Sequence, residues 1–261
     1  MARTGGPEHD SCDAWLQPFV GSYQARAGRS IPGASAVTGI PRRRSTKPHF
    51  PAWPRSRVAR WARRPLVSAL LFCYRAAYSV EVRGRANFRS LDKPCLIISN
   101  HNMHMDQAML LRAMPHRFRQ RVAIAAAADD IYGNRLRGFL ASLLGNAFPF
   151  ATGGSGIRES LEYVSSMLND GWNVLLFPEG ELTVLGPMRP FKGGIGLLAR
   201  ETRAQVLPMR IDVLRPGFYE GKWWPHPRAR IRVVIGPPVK VPPGASYAEA
   251  TALLEDAVKR A

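Results

Sequence analysis

Residues 94–111 read PCLIISNHNMHMDQAMLL, and the order of side chains in this stretch decides the fold. Cys95, Leu96, Ile97 and Ile98 form a short unbroken apolar run, the pattern of a strand buried on both faces. The run stops at Ser99-Asn100, and apolar periodicity resumes at Ala108, which predicts a helix over 107–114. His101 and Asp106 therefore fall on a strand-to-helix turn. Crevices in open α/β sheets lie at the carboxyl ends of strands, so rigid elements on both sides hold such a turn beside a cleft. A neutral imidazole placed there can take a proton from a hydroxyl while a nearby carboxylate fixes its tautomer and stabilises the imidazolium. The competing reading is structural: His101 closes a turn, and Asp106 caps a helix or sits in its first turn, where the dipole favours an acid.

No G-x-S-x-G elbow occurs, and Cys12, Cys73 and Cys95 lie in no reactive motif, so the chain offers no nucleophile of its own. The substrate must bring the hydroxyl. That predicts group transfer to an alcohol, with His101 as general base. His101, His104 and Asp106 also spell H-x-x-H-x-D, a pattern shared with metal hydrolases. The remaining histidines, His9, His49, His116 and His226, form no helical H-x-x-x-H pair, so no metal is assigned.

A second apolar run, NVLLF over 173–177, breaks at Pro178-Glu179-Gly180-Glu181 and is followed by Pro190-Phe191-Lys192-Gly193-Gly194. Taken together, N-H-x-x-x-x-D, F-P-E-G and P-F-K-x-G resemble the glycerolipid acyltransferases, the lysophosphatidic acid acyltransferase family, from about Val80 to Pro238. The resemblance implies that His101 is the catalytic base and Asp106 its orienting carboxylate. It also implies that Phe177, Pro178, Glu179 and Gly180 bind a glycerol-phosphate acceptor, with Asn100, Arg189 and Lys192 as neighbouring contacts. Val206-Leu207-Pro208 resembles a further block, a strand-end proline near the acyl or acceptor site. Gly145 to Phe150, GNAFPF, resembles the intervening block, after which the family usually carries an arginine. This chain has Ala151 and Thr152 there, and it reads Glu181-Leu182-Thr183 where the family continues with threonine, arginine and serine.

The chain of 261 residues is long enough for one α/β domain with an appendage. Lys and Arg number 37 against 19 acidic residues, a balance of +18. Residues 1–85 hold 15 basic and 4 acidic side chains, so much of the excess lies in the first third. Three unpatterned cysteines argue against a disulfide framework and fit a reducing compartment. Residues 1–56 are rich in Gly, Pro, Ser and Arg, without apolar periodicity, and read as a disordered basic tail. No secretory signal is visible, and an organellar leader or an overlong start both fit this stretch.

Residues 57–78 read as an amphipathic helix, with Arg57, Arg60, Arg63 and Arg64 ahead of an apolar body interrupted by Arg75. It is too short for a span of ~20 apolar residues, so it reads as a helix lying in the membrane interface or, alternatively, as one packed on the domain's own core with solvated arginines; the first reading is preferred, with the enzyme expected on the cytoplasmic face. Residues 79–261 form the expected acyltransferase domain. Strands are expected at 79–82, 122–126, 147–150, 174–177, 206–211 and 231–235, and helices at 135–144, 156–169, 193–201 and 247–260. The alternation predicts an α/β fold with a largely parallel central sheet flanked by helices. Arg117, Arg119, Arg121, Arg135 and Arg137 are expected to add positive charge near the site; such a run reads by default as a solvated helix face, and in its functional reading as a dock for an acidic carrier or the phosphates of coenzyme A. Trp223, Trp224 and Pro225 read as either core or interfacial anchor. No nucleic-acid-binding signature accompanies the charge, so no nucleic-acid partner is assigned. The expected partners are an acyl-thioester donor, acyl-CoA or acyl carrier protein, a lysophospholipid acceptor and a membrane surface, without a cofactor. A thioesterase, with water in place of the alcohol, or an acyltransferase with a non-phosphatidate acceptor, is the alternative.

Overall fold

The structure, a computed structural model, describes residues 50–91, 94–103, 105–151, 156–183, 187–215 and 229–261. His104, Thr152, residues 1–49 of the expected tail and the Trp223-Trp224-Pro225 cluster lie outside the described residues. Helix α1 spans Arg57–Ala77 and is followed by strand β1, Tyr78–Arg83. Next come β2 (Leu96–Ser99), α2 (Asp106–Ala113), the short α3 (His116–Arg119), β3 (Val122–Ala127), α4 (Arg135–Gly145) and β4 (Ala147–Phe150). The chain continues through α5 (Ile157–Asn169), β5 (Asn173–Leu176), α6 (Gly194–Thr202), β6 (Val206–Arg215), β7 (Ala229–Ile235) and α7 (Tyr247–Arg260).

The strands form one seven-stranded sheet in the order β1-β7-β6-β2-β5-β3-β4. All neighbours pair in parallel except β6 with β7. This is the largely parallel, helix-flanked sheet expected from the alternation of apolar runs and helical periodicity. β2 lies at its centre, with Ile97 opposite both Leu175 of β5 and Leu207 of β6. Because successive side chains point to opposite faces, Cys95 and Ile97 join one buried cluster and Leu96 and Ile98 the other. The first cluster takes in Tyr74 of α1 and Met109 and Leu110 of α2, and the second Val164 of α5, Leu198 of α6 and Leu254 of α7. Helices thus cover both faces, the condition for a parallel sheet.

Local signals explain the helix ends. Ser246 and Glu249 complete a capping box on α7, each side chain bonding the other's backbone amide. At the end of α5, Gly171 takes φ +83° and its N–H reaches the Leu168 carbonyl at 3.0 Å, a stop that a β-carbon would disfavour.

Two details depart from expectation. Residues 50–56, placed in the tail by composition, pack on the domain: Pro54 is buried, the Phe50 ring stacks on Tyr163 at 4.0 Å, and Arg55 bonds the Tyr163 hydroxyl. Apolar periodicity does not register so short a packed turn. β6 runs on to Arg215, so Pro208 sits inside the strand opposite Ile98 and buried, not at a strand end near the site. The position tolerates proline because the N–H it lacks would point to the same side as its carbonyl, which accepts from Gly236 N–H at 2.9 Å, and on that side β7 has already ended at Ile235.

Candidate active site

The end of β2 is built by borrowed hydrogen bonds. Beyond Ser99 the chain leaves the sheet, and the Asn100 side chain takes over the ladder: its Nδ2 donates to the Ile211 carbonyl at 2.9 Å and its Oδ1 accepts from Ile211 N–H at 2.8 Å. Asn102 Nδ2 reaches the same carbonyl at 2.9 Å. Asn100 is buried with both arms of its amide engaged, so it anchors the turn and does not face a substrate.

On that anchored turn the His101 Nδ1 lies 2.9 Å from Asp106 Oδ2. The same oxygen accepts from Asn102 N–H at 2.6 Å and Met103 N–H at 2.8 Å. The Asp106 side chain is wholly buried, whereas that of His101 is 21% exposed. Burial pushes the Asp106 carboxyl above its ordinary pKa, opposed by its hydrogen bond to and charge attraction with His101 and by the two amides. With Nδ1–H held by the carboxylate, the lone pair of Nε2 is the free end of the ring. Phe177 stacks on the imidazole, centroids 4.2 Å apart and planes at 22°, so the ring is fixed on a face as well as at an edge. Both residues were singled out from sequence, but their stacking follows from the pairing of β2 with β5.

Glu179 occupies a different position from the one its motif suggested. It is buried, and Oε1 accepts the His101 backbone N–H at 2.8 Å while Oε2 accepts Thr183 Oγ1–H at 3.1 Å and Arg189 N–H at 2.9 Å. Thr183 N–H in turn donates to the His101 carbonyl at 2.8 Å. The carboxylate therefore fastens three chain segments around the imidazole and touches the site from behind. Thr183 was read only as a departure from a motif. Its spacing of four residues from Glu179 gave no signal, because the contact forms across a turn.

Gly180 has φ +71°, and a β-carbon there would fall 2.5 Å from Lys192 Nζ. The lysine stem lies across this glycine, held by its backbone N–H bonding the buried Pro178 carbonyl at 2.9 Å. Lys192 is exposed and makes no ion pair among the described residues. Arg189 pairs with Glu181, which cancels the extra negative charge beside Glu179. At the end of β4, Ala151 brings no cation, and its N–H donates to Ser160 Oγ at 3.0 Å.

The amides of His101, Asn102 and Met103 all donate to Glu179 or Asp106, so none is free to stabilise an oxyanion. The expected placement of the arginines needs correction. Arg117, Arg119 and Arg121 precede β3, which runs parallel to β2 within the sheet, so they lie at the opposite end of the strands from His101. Arg135 and Arg137 follow β3 and stay on the His101 end. Among the described residues no group of three His, Cys, Asp or Glu side chains is placed to hold a metal.

Cys95 is fully buried and burial pushes its thiol up to about 12, whereas Cys73 is exposed on α1. In the Cys12→Ser protein, iodoacetamide is expected to modify Cys73 and leave Cys95 untouched until denaturant is added. Mass spectrometry of the alkylated native protein checks this, and rapid native labelling of Cys95 would contradict its burial.

A largely parallel α/β sheet thus carries a carboxylate-held histidine at the end of its central strand. The Acyltransferase family model matches residues 79–212, and the chain belongs to that family. It is 27% identical over 161 residues to the 1-acyl-sn-glycerol-3-phosphate acyltransferase alpha of Bos taurus, covering 61% of this chain and 54% of that protein. It is 29% identical over 163 residues to the lyso-ornithine lipid O-acyltransferase of Pseudomonas aeruginosa, covering 62% and 56%. The chain spans about half the length of the curated relatives it matches. The crystal structure of the 1-acyl-sn-glycerophosphate acyltransferase PlsC from Thermotoga maritima shares the fold, with a TM-score of 0.54, 23% identity and coverage of 78% of this chain and 76% of that one.

Proposed function

We propose that this protein moves a fatty acyl group from a thioester, acyl-CoA or acyl carrier protein, to the hydroxyl of a lysophosphatidate or related glycerolipid at a membrane surface. The observation that carries the reading is the His101–Asp106 pair, with Nδ1 bound to the buried carboxylate and Nε2 free under Phe177. Nε2 accepts the acceptor's hydroxyl proton as the oxygen attacks the thioester carbonyl, and Asp106 stabilises the imidazolium that forms. The proton then passes to the departing thiolate. A product profile from purified protein offered a thioester with several lysolipids tests the reading. Free fatty acid as the sole product, whatever alcohol is present, would favour the thioesterase.

Lys192 is the cation best placed to meet an acceptor's phosphate, because its stem crosses Gly180 and no carboxylate among the described residues neutralises it. Lys192→Ala is expected to raise KM for lysophosphatidate roughly tenfold or more, the loss of one charged hydrogen bond, with little change in KM for the donor. Initial rates with each substrate varied in turn decide it, and an equal rise in both constants would remove Lys192 from the acceptor site. A second acceptor class is favoured by Ala151, which leaves the end of β4 without the expected arginine. A phosphate-free headgroup suits that site, as in the lyso-ornithine lipid acceptor that the name of the Pseudomonas relative specifies. Offering lysophosphatidate and lyso-ornithine lipid side by side separates the two.

The membrane part of the proposal rests on α1. One side of this helix packs on the domain through Ala59, Leu71 and Tyr74, yet Val58 is 79%, Trp61 76% and Phe72 72% exposed on the other. Leu66 and Leu70 extend this face, and Leu136, Phe139 and Leu140 of the adjoining α4 are exposed as well. No helix of the described residues is long and apolar enough to cross a membrane. An apolar face of this kind, flanked by Arg57, Arg60 and Arg64, suits the headgroup boundary of an anionic bilayer. Because Cys73 belongs to that face, vesicles should protect it from a water-soluble maleimide in the Cys12→Ser protein.

A further inference from the structure

Distant from His101, a cavity of ≈ 260 Å³ is lined by residues of α1, α3 and the amino ends of β3 and β4. Val122 opens β3 and Asn146 precedes β4, so the cavity lies at the end of the parallel strands opposite the His101 turn. Its wall carries Arg60, Arg63, Arg64, Arg117, Arg119 and Arg121, and no carboxylate. Some of this charge has a structural use. Arg63 donates to the carbonyls of Leu143, Pro54 and Ser142, Arg64 to Gln120 Oε1 at 2.9 Å, and Arg121 lies over the Trp172 ring.

The rest has none. The Nε of Arg60 is buried without a hydrogen-bond partner, and Arg117 and Arg119 form no ion pair among the described residues. Burial first, and then the neighbouring charges of Arg55 and Arg60, lowers Arg63 to about 10. A buried unpaired donor among cations is unfavourable unless an anion answers it. Guanidinium forks match the oxygens of a phosphate better than those of any other common anionic group, apart from carboxylates.

We propose that this cavity binds the phosphate of an anionic phospholipid headgroup, at a site separate from the acyl-transfer centre. Its volume lies below the roughly 300–1,000 Å³ of pockets that enclose a whole small molecule, which suits a headgroup better than the nucleotide of coenzyme A. The choice of lipid as the source rests on α1 facing the bilayer, since Arg60 and Arg64 line the cavity while Trp61 between them is exposed. The same helix connects both ends of the sheet. It is about 30 Å long by its rise per residue, and near its far end Tyr74 O–H donates to Met105 Sδ, beside Asp106. A headgroup held by Arg60 would therefore fix the orientation of the helix that abuts the His101 turn.

The test compares Arg60→Gln/Arg117→Gln with Arg203→Gln/Lys240→Gln, which removes equal charge at exposed positions elsewhere. Binding of the full chain is read by sedimentation with phosphatidylcholine vesicles containing phosphatidic acid, without turnover. The first variant is expected to bind about tenfold or more weakly, the second less than about twofold, since charged hydrogen bonds outweigh diffuse attraction. With oleate replacing phosphatidic acid at equal surface charge, the two variants should behave alike. An equal selective loss on oleate vesicles would mean carboxylate or surface-charge binding and overturn a phosphate site. Loss of coenzyme A binding with vesicle binding intact would give the cavity to the donor and overturn the lipid assignment, and no loss in either assay overturns the site. Circular dichroism confirms folding, and Arg117→Gln alone, at an exposed residue, serves if the double variant unfolds. Failure of vesicles to protect Cys73, with phosphate selectivity intact, would fault the orientation of α1 and leave the cavity standing.

Discussion

His101→Ala is expected to lower kcat at least about 100-fold, because an alcohol attacks a thioester poorly unless a base removes its proton during the attack. The geometry makes the loss specific. Nδ1 is tied to Asp106 Oδ2 and Phe177 covers one ring face, so the imidazole has one free nitrogen and one direction in which to use it. Replacing the ring leaves the backbone bonds of residue 101 to Glu179 and Thr183 in place, but the buried Asp106 carboxylate loses one of its three hydrogen bonds and Phe177 its stacking partner, so a loss of about 1–3 kcal/mol in stability is expected. Asp106→Asn is expected to be nearly as damaging. An asparagine oxygen can still accept from Asn102 and Met103, but it no longer selects the Nδ1–H tautomer against an imidazolium's charge, and its amide meets no acceptor in a fully buried position. Steady-state rates on folded variants check both, and a folded His101→Ala protein with full activity would sink the general-base mechanism. His104→Ala is the useful comparison, since a metal reading of H-x-x-H-x-D would make it as severe.

Much of this site was legible because strand ends are legible. The apolar runs at 95–98 and 173–177 both stop at polar residues, and parallel pairing of β2 with β5 then forces His101 and Glu179 together. Periodicity also recovered the long helices within a residue or so, because their buried faces repeat over several turns. What the sequence withheld was the destination of each polar atom. Asn100 and Glu179 sit in motifs and so suggested substrate contacts, yet their hydrogen bonds go to Ile211, His101, Thr183 and Arg189. A motif reports which residues share a place, and the pairing of backbone donors with them depends on turns that no periodicity describes. The arginines before β3 misled for a related reason. Nearness in sequence to the His101 segment implied nearness in space, whereas the strand direction carries them to the other end of the sheet.

Glu179→Ala is the second change expected to be severe, and it separates a contact with substrate from a fastening role. Removing the carboxylate leaves the His101 amide, the Thr183 hydroxyl and the Arg189 amide without their acceptor, in a position that is almost fully buried. With about 1–3 kcal/mol for each donor left unsatisfied, partly recovered by water entering the gap, a loss of about 3 kcal/mol in unfolding free energy is expected. Activity should fall with it. A shift of the His101 turn by ~1 Å is enough to cost about 100-fold in rate, because the free nitrogen must meet the hydroxyl at hydrogen-bond distance. The loss should appear in kcat, with KM for the acceptor changed by less than about threefold, the signature of a group that acts only by shaping the reacting geometry. Glu179→Gln should fall between, since its carbonyl oxygen can keep the His101 amide while its NH₂ group confronts the Arg189 amide, donor against donor. Urea unfolding and steady-state kinetics on both variants decide the matter. A Glu179→Ala protein as stable as the parent, with a raised KM for the acceptor and an unchanged kcat, would return Glu179 to the substrate-binding surface and leave the turn to be held by Asn100, Asn102, Asp106 and the Thr183 N–H bond to the His101 carbonyl.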